Sequence, residues 1–181
     1  MIAMPNDIPK NKLGEGIKLI FQNIQLLLES AKLLYENKKF LLSSSLSIFA
    51  FEEMTKAEFL MEHHKKREDA SRDAWHTLTK NRKAHIKKLI GYISKEEVYK
   101  KDFGVKGETR KQKIIDDMAK YYQAIKLHVF YVNWKKVNTC ENWQWFPKTW
   151  PPYYKKQIAT SLLENAKRRF QDLETQQSLQ S

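Results

Sequence analysis

A charged triplet, Glu52-Glu53-x-x-Lys56, interrupts a run that otherwise looks like protein interior: Ile48-Phe49-Ala50-Phe51 before it, Ala57-Glu58-Phe59-Leu60 after it. On a helix of about 100° per residue, Leu42, Leu46, Phe49, Ala50, Ala57 and Leu60 form one apolar stripe. Glu53 falls inside that stripe, with Glu52 and Lys56 on its shoulder. An unpaired buried carboxylate costs roughly several kcal/mol. Glu53 therefore has a partner, lies at an interface, or takes part in a reaction.

The natural partners are His85 and Lys88 on the next helix. Glu53 and His85 lie at similar distances from the intervening turn, about 22–26 Å at a rise of roughly 1.5 Å per residue. Antiparallel packing puts them at one level. A carboxylate beside an imidazole holds its tautomer, and a nearby ammonium stabilises developing negative charge. These are the parts of a metal-independent general acid–base site, with Glu53, His85 and Lys56 in the catalytic roles. RNA suits such a site because its 2′-hydroxyl can serve as the nucleophile. The same residues also fit a plain Glu53–Lys56 or Glu53–His85 pair that only fixes helix register. Around His85 runs Lys80-Asn81-Arg82-Lys83-Ala84-His85-Ile86-Lys87-Lys88, in which Arg82, Lys83 and Lys88 are candidates for holding phosphate. The alternative for this run is a solvated helix face.

The periodicity predicts the helices that would carry these groups. Helix one spans about Leu13 to Glu36, with an i, i+3, i+4, i+7 pattern from Ile17 to Tyr35. Asn37-Lys38-Lys39 is a short connection, so helix two, about Phe40 to Lys66, returns antiparallel. Helix two opens with Ser43, Ser44, Ser45 and Ser47, small residues that allow close approach. Helix three runs from about Ser71, an N-cap, to Ile93. A basic linker, about Ser94 to Glu108, contains a capping-box match and room for a short helix. Helix four begins near Thr109 and continues through Val129. Between Phe130 and Pro152, Phe130-Tyr131-Val132-Asn133-Trp134 and Trp143-Gln144-Trp145-Phe146 read as strand-like pieces of a hairpin or flap over one end of the bundle. Its Trp134, Trp143, Trp145, Phe146 and Trp150, interleaved with lysines, suit base stacking or a satellite core. Helix five is opened by Pro152. The expected class is all-α: one antiparallel bundle of four to five helices over residues 13–170, with a small Trp-rich hairpin before the last helix. Residues 1–12 and 171–181 are expected to be tails, the latter frayed.

Composition narrows the function classes. The single cysteine, Cys140, excludes an internal disulfide and a Cys-based zinc site. No Glu-x-x-His pair of a carboxylate-bundle di-metal site occurs, and adjacent His63 and His64 point apart on a helix. No metal and no cofactor is expected, and no Gly-rich phosphate loop or dinucleotide fingerprint is present. No signal segment and no membrane span is apparent, so a cytoplasmic protein without membrane contact is expected. Thirty-three Lys+Arg against 21 Asp+Glu give a net charge of +12, which draws phosphate-rich partners through a salt-sensitive term.

Three motifs in order, Phe51-Glu52-Glu53-Met54-Thr55-Lys56-Ala57, Trp75 followed by His85-Ile86-Lys87-Lys88-Leu89, and Tyr131-Val132-Asn133-Trp134 followed by Trp145-Phe146-Pro147, resemble the AbiV-type abortive-infection family of the HEPN superfamily. The resemblance spans about Leu27 to Pro152. It implies an antiparallel helical bundle that forms a homodimer. It also implies a bacterial, cytoplasmic role in stopping phage propagation, through a phage-encoded protein or a host RNA or translation component. Many HEPN relatives are metal-independent ribonucleases with an Arg-x(4–6)-His motif. This chain has Arg82 at Arg-x-x-His spacing before His85, Lys80 at Lys-x(4)-His spacing, and Arg72-x(3)-His76, but no Arg-x(4–6)-His. The expectation is an abortive-infection effector whose Glu53/Lys56/His85/Lys88 cluster acts on RNA. The alternative is a non-catalytic basic regulator that binds nucleic acid or protein.

Overall fold

The computed structural model describes residues 7–79, 85–86, 88–90, 108–130, 133–136, 143–146 and 152–179. Its helices are α1 (Lys10–Glu36), α2 (Phe40–Lys66), α3 (Arg72–Thr79), α4 (Glu108–Phe130) and α5 (Pro152–Ser178), and residues 85–86 and 88–90 are also helical. Two short antiparallel pairs accompany them: β1 (Asp7–Ile8) with β2 (Ala70–Ser71), and β3 (Asn133–Lys136) with β4 (Trp143–Phe146). The fold is an all-α helical bundle, as the periodicity predicts. Among the described residues, no helix is long and apolar enough to cross a membrane.

The long amphipathic α1 buries Leu13, Ile17, Phe21, Ile24, Leu28 and Ala31, spaced by three and four. That stripe lies along α2, which also packs against α4 and α5, while α1 touches α5. α2 is thus the central helix, enclosed on several sides. Its first turns bury Ser43, Ser44, Ser45 and Ser47, small enough for neighbouring backbones to come close. Three of these hydroxyls donate to carbonyls one turn back: Ser44 to Phe40, Ser45 to Leu41 and Ser47 to Ser43. Gly16 serves the same close packing, since a Cβ there would lie 3.1 Å from a Leu60 methyl. Phe21 of α1 meets Phe170 of α5 at 5.4 Å between ring centroids. Tyr35 bonds Thr160 at 2.8 Å, and Arg169 pairs with Glu58, so α5 is tied to both α1 and α2.

Two boundaries differ from expectation. α1 begins at Lys10 because residues 7–8 form part of a clasp. Asp69 accepts from the Lys10 amide (2.8 Å) and Asp7 from the Arg72 amide (3.1 Å), so each aspartate caps the helix that the other's strand precedes. Ser71 also accepts from the Ala74 amide, as its N-cap role requires. α5 continues to Ser178 rather than fraying at Gln171, because Leu173 extends the Leu162/Ala166/Phe170 stripe and is fully buried. Helix three is seen as Arg72–Thr79 and then at residues 85–86 and 88–90. The hairpin forms with Trp134 opposite Trp145 and Lys136 opposite Trp143. Its loop, Trp150 and the basic linker at 94–107 lie outside the described residues.

Both α1 and α2 end with a non-glycine residue in the left-handed region, Lys38 (φ 59°) and Arg67 (φ 57°). In each, two amides bond back onto the last turn: Lys38 to Tyr35 and Lys39 to Leu34, then Arg67 to His64 and Glu68 to His63. A side chain is strained there, and glycine is not. Lys38→Gly should therefore raise stability by about 0.5–1 kcal/mol, read as a higher urea midpoint at unchanged m-value.

Candidate active site

The carboxylate at the centre of the molecule is Glu52, not Glu53. Glu52 is 2 % exposed, whereas Glu53 lies at the partly open edge of α2 and pairs with Lys56 one turn on. The stripe used to place Glu53 was built from large apolar residues. On this enclosed helix Ile48, Phe51 and Met54 are buried together with the small Ser43, Ser47, Ala50 and Ala57, whereas Leu42, Leu46 and Phe49 are only partly buried. The burial pattern is thereby rotated by about one residue.

The level argument for His85 holds. Its Nδ1 lies 2.6 Å from Oε2 of Glu52. Lys88, one turn further, places Nζ 3.4 Å from the same oxygen and is buried. The segment bearing both is pinned to α2 by Thr55, whose hydroxyl donates to the Lys88 carbonyl at 3.1 Å. The other oxygen, Oε1, accepts from Lys126 of α4 at 2.5 Å. α4 is seated one position away by Tyr122, which stacks on Phe51 at 6.4 Å. Lys126 Nζ also lies 4.8 Å from the centre of the Phe49 ring and 3.2 Å from His85 Nδ1.

Nδ1 cannot both donate to a carboxylate and accept from an ammonium. We assign the proton to Nδ1 on its shorter contact, to Glu52, with Lys126 donating to Oε1. The His85 side chain is 39 % exposed while its Nδ1 edge is turned to the buried carboxylate. An imidazole oriented by a buried carboxylate can serve as a general base. Two ammonium groups behind it provide a positive field for developing negative charge.

Of the expected site residues, the structure gathers His85 and Lys88 around Glu52. It leaves Glu53 and Lys56 as a neighbouring ion pair at the rim. Arg82 and Lys83 lie outside the described residues. Lys126 was not anticipated, although a signal existed: it falls seven after Ala119 and four after Tyr122, inside the apolar stripe of α4. Among the described residues no three His, Cys, Asp or Glu side chains converge to hold a metal ion.

Burial pushes the Lys88 pKa below the ordinary lysine range; Glu52 opposes that shift and Lys56 adds to it. Between the lowered folded value and the ordinary unfolded one, the unfolded chain holds a proton that the folded chain has released. Folding stability contributed by this group therefore rises with pH across that window and is lost as pH falls through the folded value. Lys88→Met should remove this alkaline rise, seen as a flatter urea midpoint against pH than in wild type. Glu52→Ala strands the buried cations and should lower stability by roughly 3–5 kcal/mol.

Neither a curated protein nor a solved structure matches the chain. The profile of the AbiV family of HEPN proteins matches residues 12–171, from the start of α1 into the last turns of α5, and so includes every residue of the cluster. On that match, the chain belongs to the AbiV-type HEPN family.

Proposed function

We propose that this chain is an abortive-infection effector of phage defence that cuts RNA without a metal, using His85 as the general acid–base and Glu52 as its orienting carboxylate. The family supports the biological role. One observation carries the chemistry: a 2 % exposed carboxylate bonded at 2.6 Å to a ring that is 39 % exposed. A register-fixing pair gains nothing from leaving 39 % of the imidazole side chain at the surface.

In the proposed reaction, Nε2 of His85 takes the proton of an RNA 2′-hydroxyl. The 2′-oxygen attacks the adjacent phosphorus, forming the O2′–P bond while the P–O5′ bond breaks. The imidazolium then gives its proton to the departing 5′-oxygen, leaving a 2′,3′-cyclic phosphate. Glu52 stabilises the imidazolium through Nδ1. Lys88 and Lys126 act through space on the charge that develops at the phosphoryl oxygens, since both are buried. The net charge of +12 draws the polyanion in.

Purified protein incubated with cellular RNA in chelator should yield fragments with 2′,3′-cyclic phosphate ends. His85→Ala should slow cleavage by about 100-fold or more without altering the fold. Absence of cleavage by wild type, with and without lysate from phage-infected cells, would overturn the enzymatic reading.

One observation favours a second reading, a protein-binding effector. Leu19, Leu26 and Leu33 form a row at heptad spacing on the outer face of α1, each about 60 % exposed. This face suits a partner helix, from a phage protein or a second copy. Leu26→Glu should then abolish defence while leaving RNA cleavage and folding as in wild type.

A further inference from the structure

The buried cluster carries more positive charge than its carboxylate needs. Glu52, Lys88 and Lys126 are the fully buried charged residues among those described, one carboxylate against two ammonium groups. Neutrality asks for one cation, and each ammonium taken out of water carries a desolvation penalty. Lys126 is the nearer ammonium, 2.5 Å from Oε1, and Lys88 lies 3.4 Å from Oε2. The low pKa of Lys88 agrees that burial there is only partly compensated. The place of Lys126 is built. It reaches in from α4, lies over the Phe49 ring, and makes a 2.5 Å contact with Oε1.

We propose that Lys126 is a positioning residue: by holding Oε1 of Glu52 it fixes the carboxylate so that Oε2 keeps the His85 proton on Nδ1 and the lone pair on Nε2. Its catalytic consequence rests on the reading of His85 as the base; the positioning itself does not. The terminal torsion of a glutamate is broad, so a carboxylate with one free oxygen turns easily. A charge-assisted hydrogen bond to one oxygen stops that rotation and sets the direction of the other. Without Lys126, the remaining ammonium is Lys88, which lies on the His85 side of the carboxylate. It would then compete with Nδ1–H for Oε2. Glu53 and Lys56, the other charged groups of α2 nearby, are engaged with each other at the rim.

Nitrogen-15 NMR of the histidine ring, in the full chain at a pH where His85 is neutral, tests this. Wild type should show the Nδ1–H form. Lys126→Met should move the ring signals toward the Nε2–H form, with kcat for RNA cleavage down about tenfold or more and KM little changed. Lys126→Arg, which restores a charged donor to Oε1, should return both readouts toward wild type. Lys88→Met should leave the ring signals unmoved. Where the methionine variant loses its fold, Lys126→Leu, shorter and likewise without a donor, gives the same readout. A folded Lys126→Met or Lys126→Leu that keeps the Nδ1–H form overturns the proposal. A shifted tautomer with undiminished cleavage supports the positioning and overturns the reading of His85 as base. If wild type cuts no RNA, the ring signals still decide the role of Lys126.

Discussion

A carboxylate buried in the middle of a helical bundle must be satisfied from all sides, and the arrangement around Glu52 follows from that. Its two oxygens take donors from two separate parts of the chain: His85 and Lys88 from the helical segment after α3, and Lys126 from α4. None of these partners is within 30 residues of Glu52 in sequence. The carboxylate therefore acts as a junction. It joins the segment that bears His85 and Lys88, and α4, to α2, and it can do so only if α2 is enclosed on several sides. The serine-rich start of α2 and Gly16 on α1 supply that enclosure by letting neighbouring helices approach closely.

The same requirement links stability to function. Replacing such a cluster with well-packed apolar side chains is often neutral or stabilising in proteins, so a buried ionic group on its own is weak evidence of a stabilising role. Among the described residues the cluster sets two buried ammonium groups against one carboxylate, and His85 is partly exposed. An arrangement selected for packing would neutralise the carboxylate once and bury the imidazole. The proposed role of His85 asks instead for a firmly fixed carboxylate beside a ring that substrate can reach. The family to which the chain belongs, the AbiV-type HEPN proteins, is named for abortive infection.

The clasp of β1 and β2 joins two helix starts through exchanged polar caps. Asp7 and Asp69 each satisfy the first amides of a helix begun by the other segment. Neither helix has a capping side chain of ordinary strength at its own N-cap except Ser71, and α1 has Pro9 there with no side-chain bond. The long-range exchange of caps fixes the entry of α1 against the α2–α3 turn.

The sequence by itself determined the helices, because their period of three and four depends only on local backbone geometry and on which residues are apolar. Phe40–Lys66 has the expected bounds, and the antiparallel return through Asn37-Lys38-Lys39 follows from the shortness of that connection. It also determined that a charge would be buried on α2 and that His85 would stand at its level, since rise per residue fixes height along a bundle. It did not determine which glutamate. Azimuth on a helix is read from apolar contrast, and contrast fails on α2, where Ser43, Ser47 and Ala50 are buried beside Ile48, Phe51 and Met54 while Leu42, Leu46 and Phe49 are only partly so. Nor did it determine that Lys126 would close the site. That residue meets Glu52 only because α2 and α4 pack with Phe51 against Tyr122, a choice of neighbours and rotation made by the tertiary structure. Periodicity gives each helix a buried face; only the packing of all the faces together says which charges meet there.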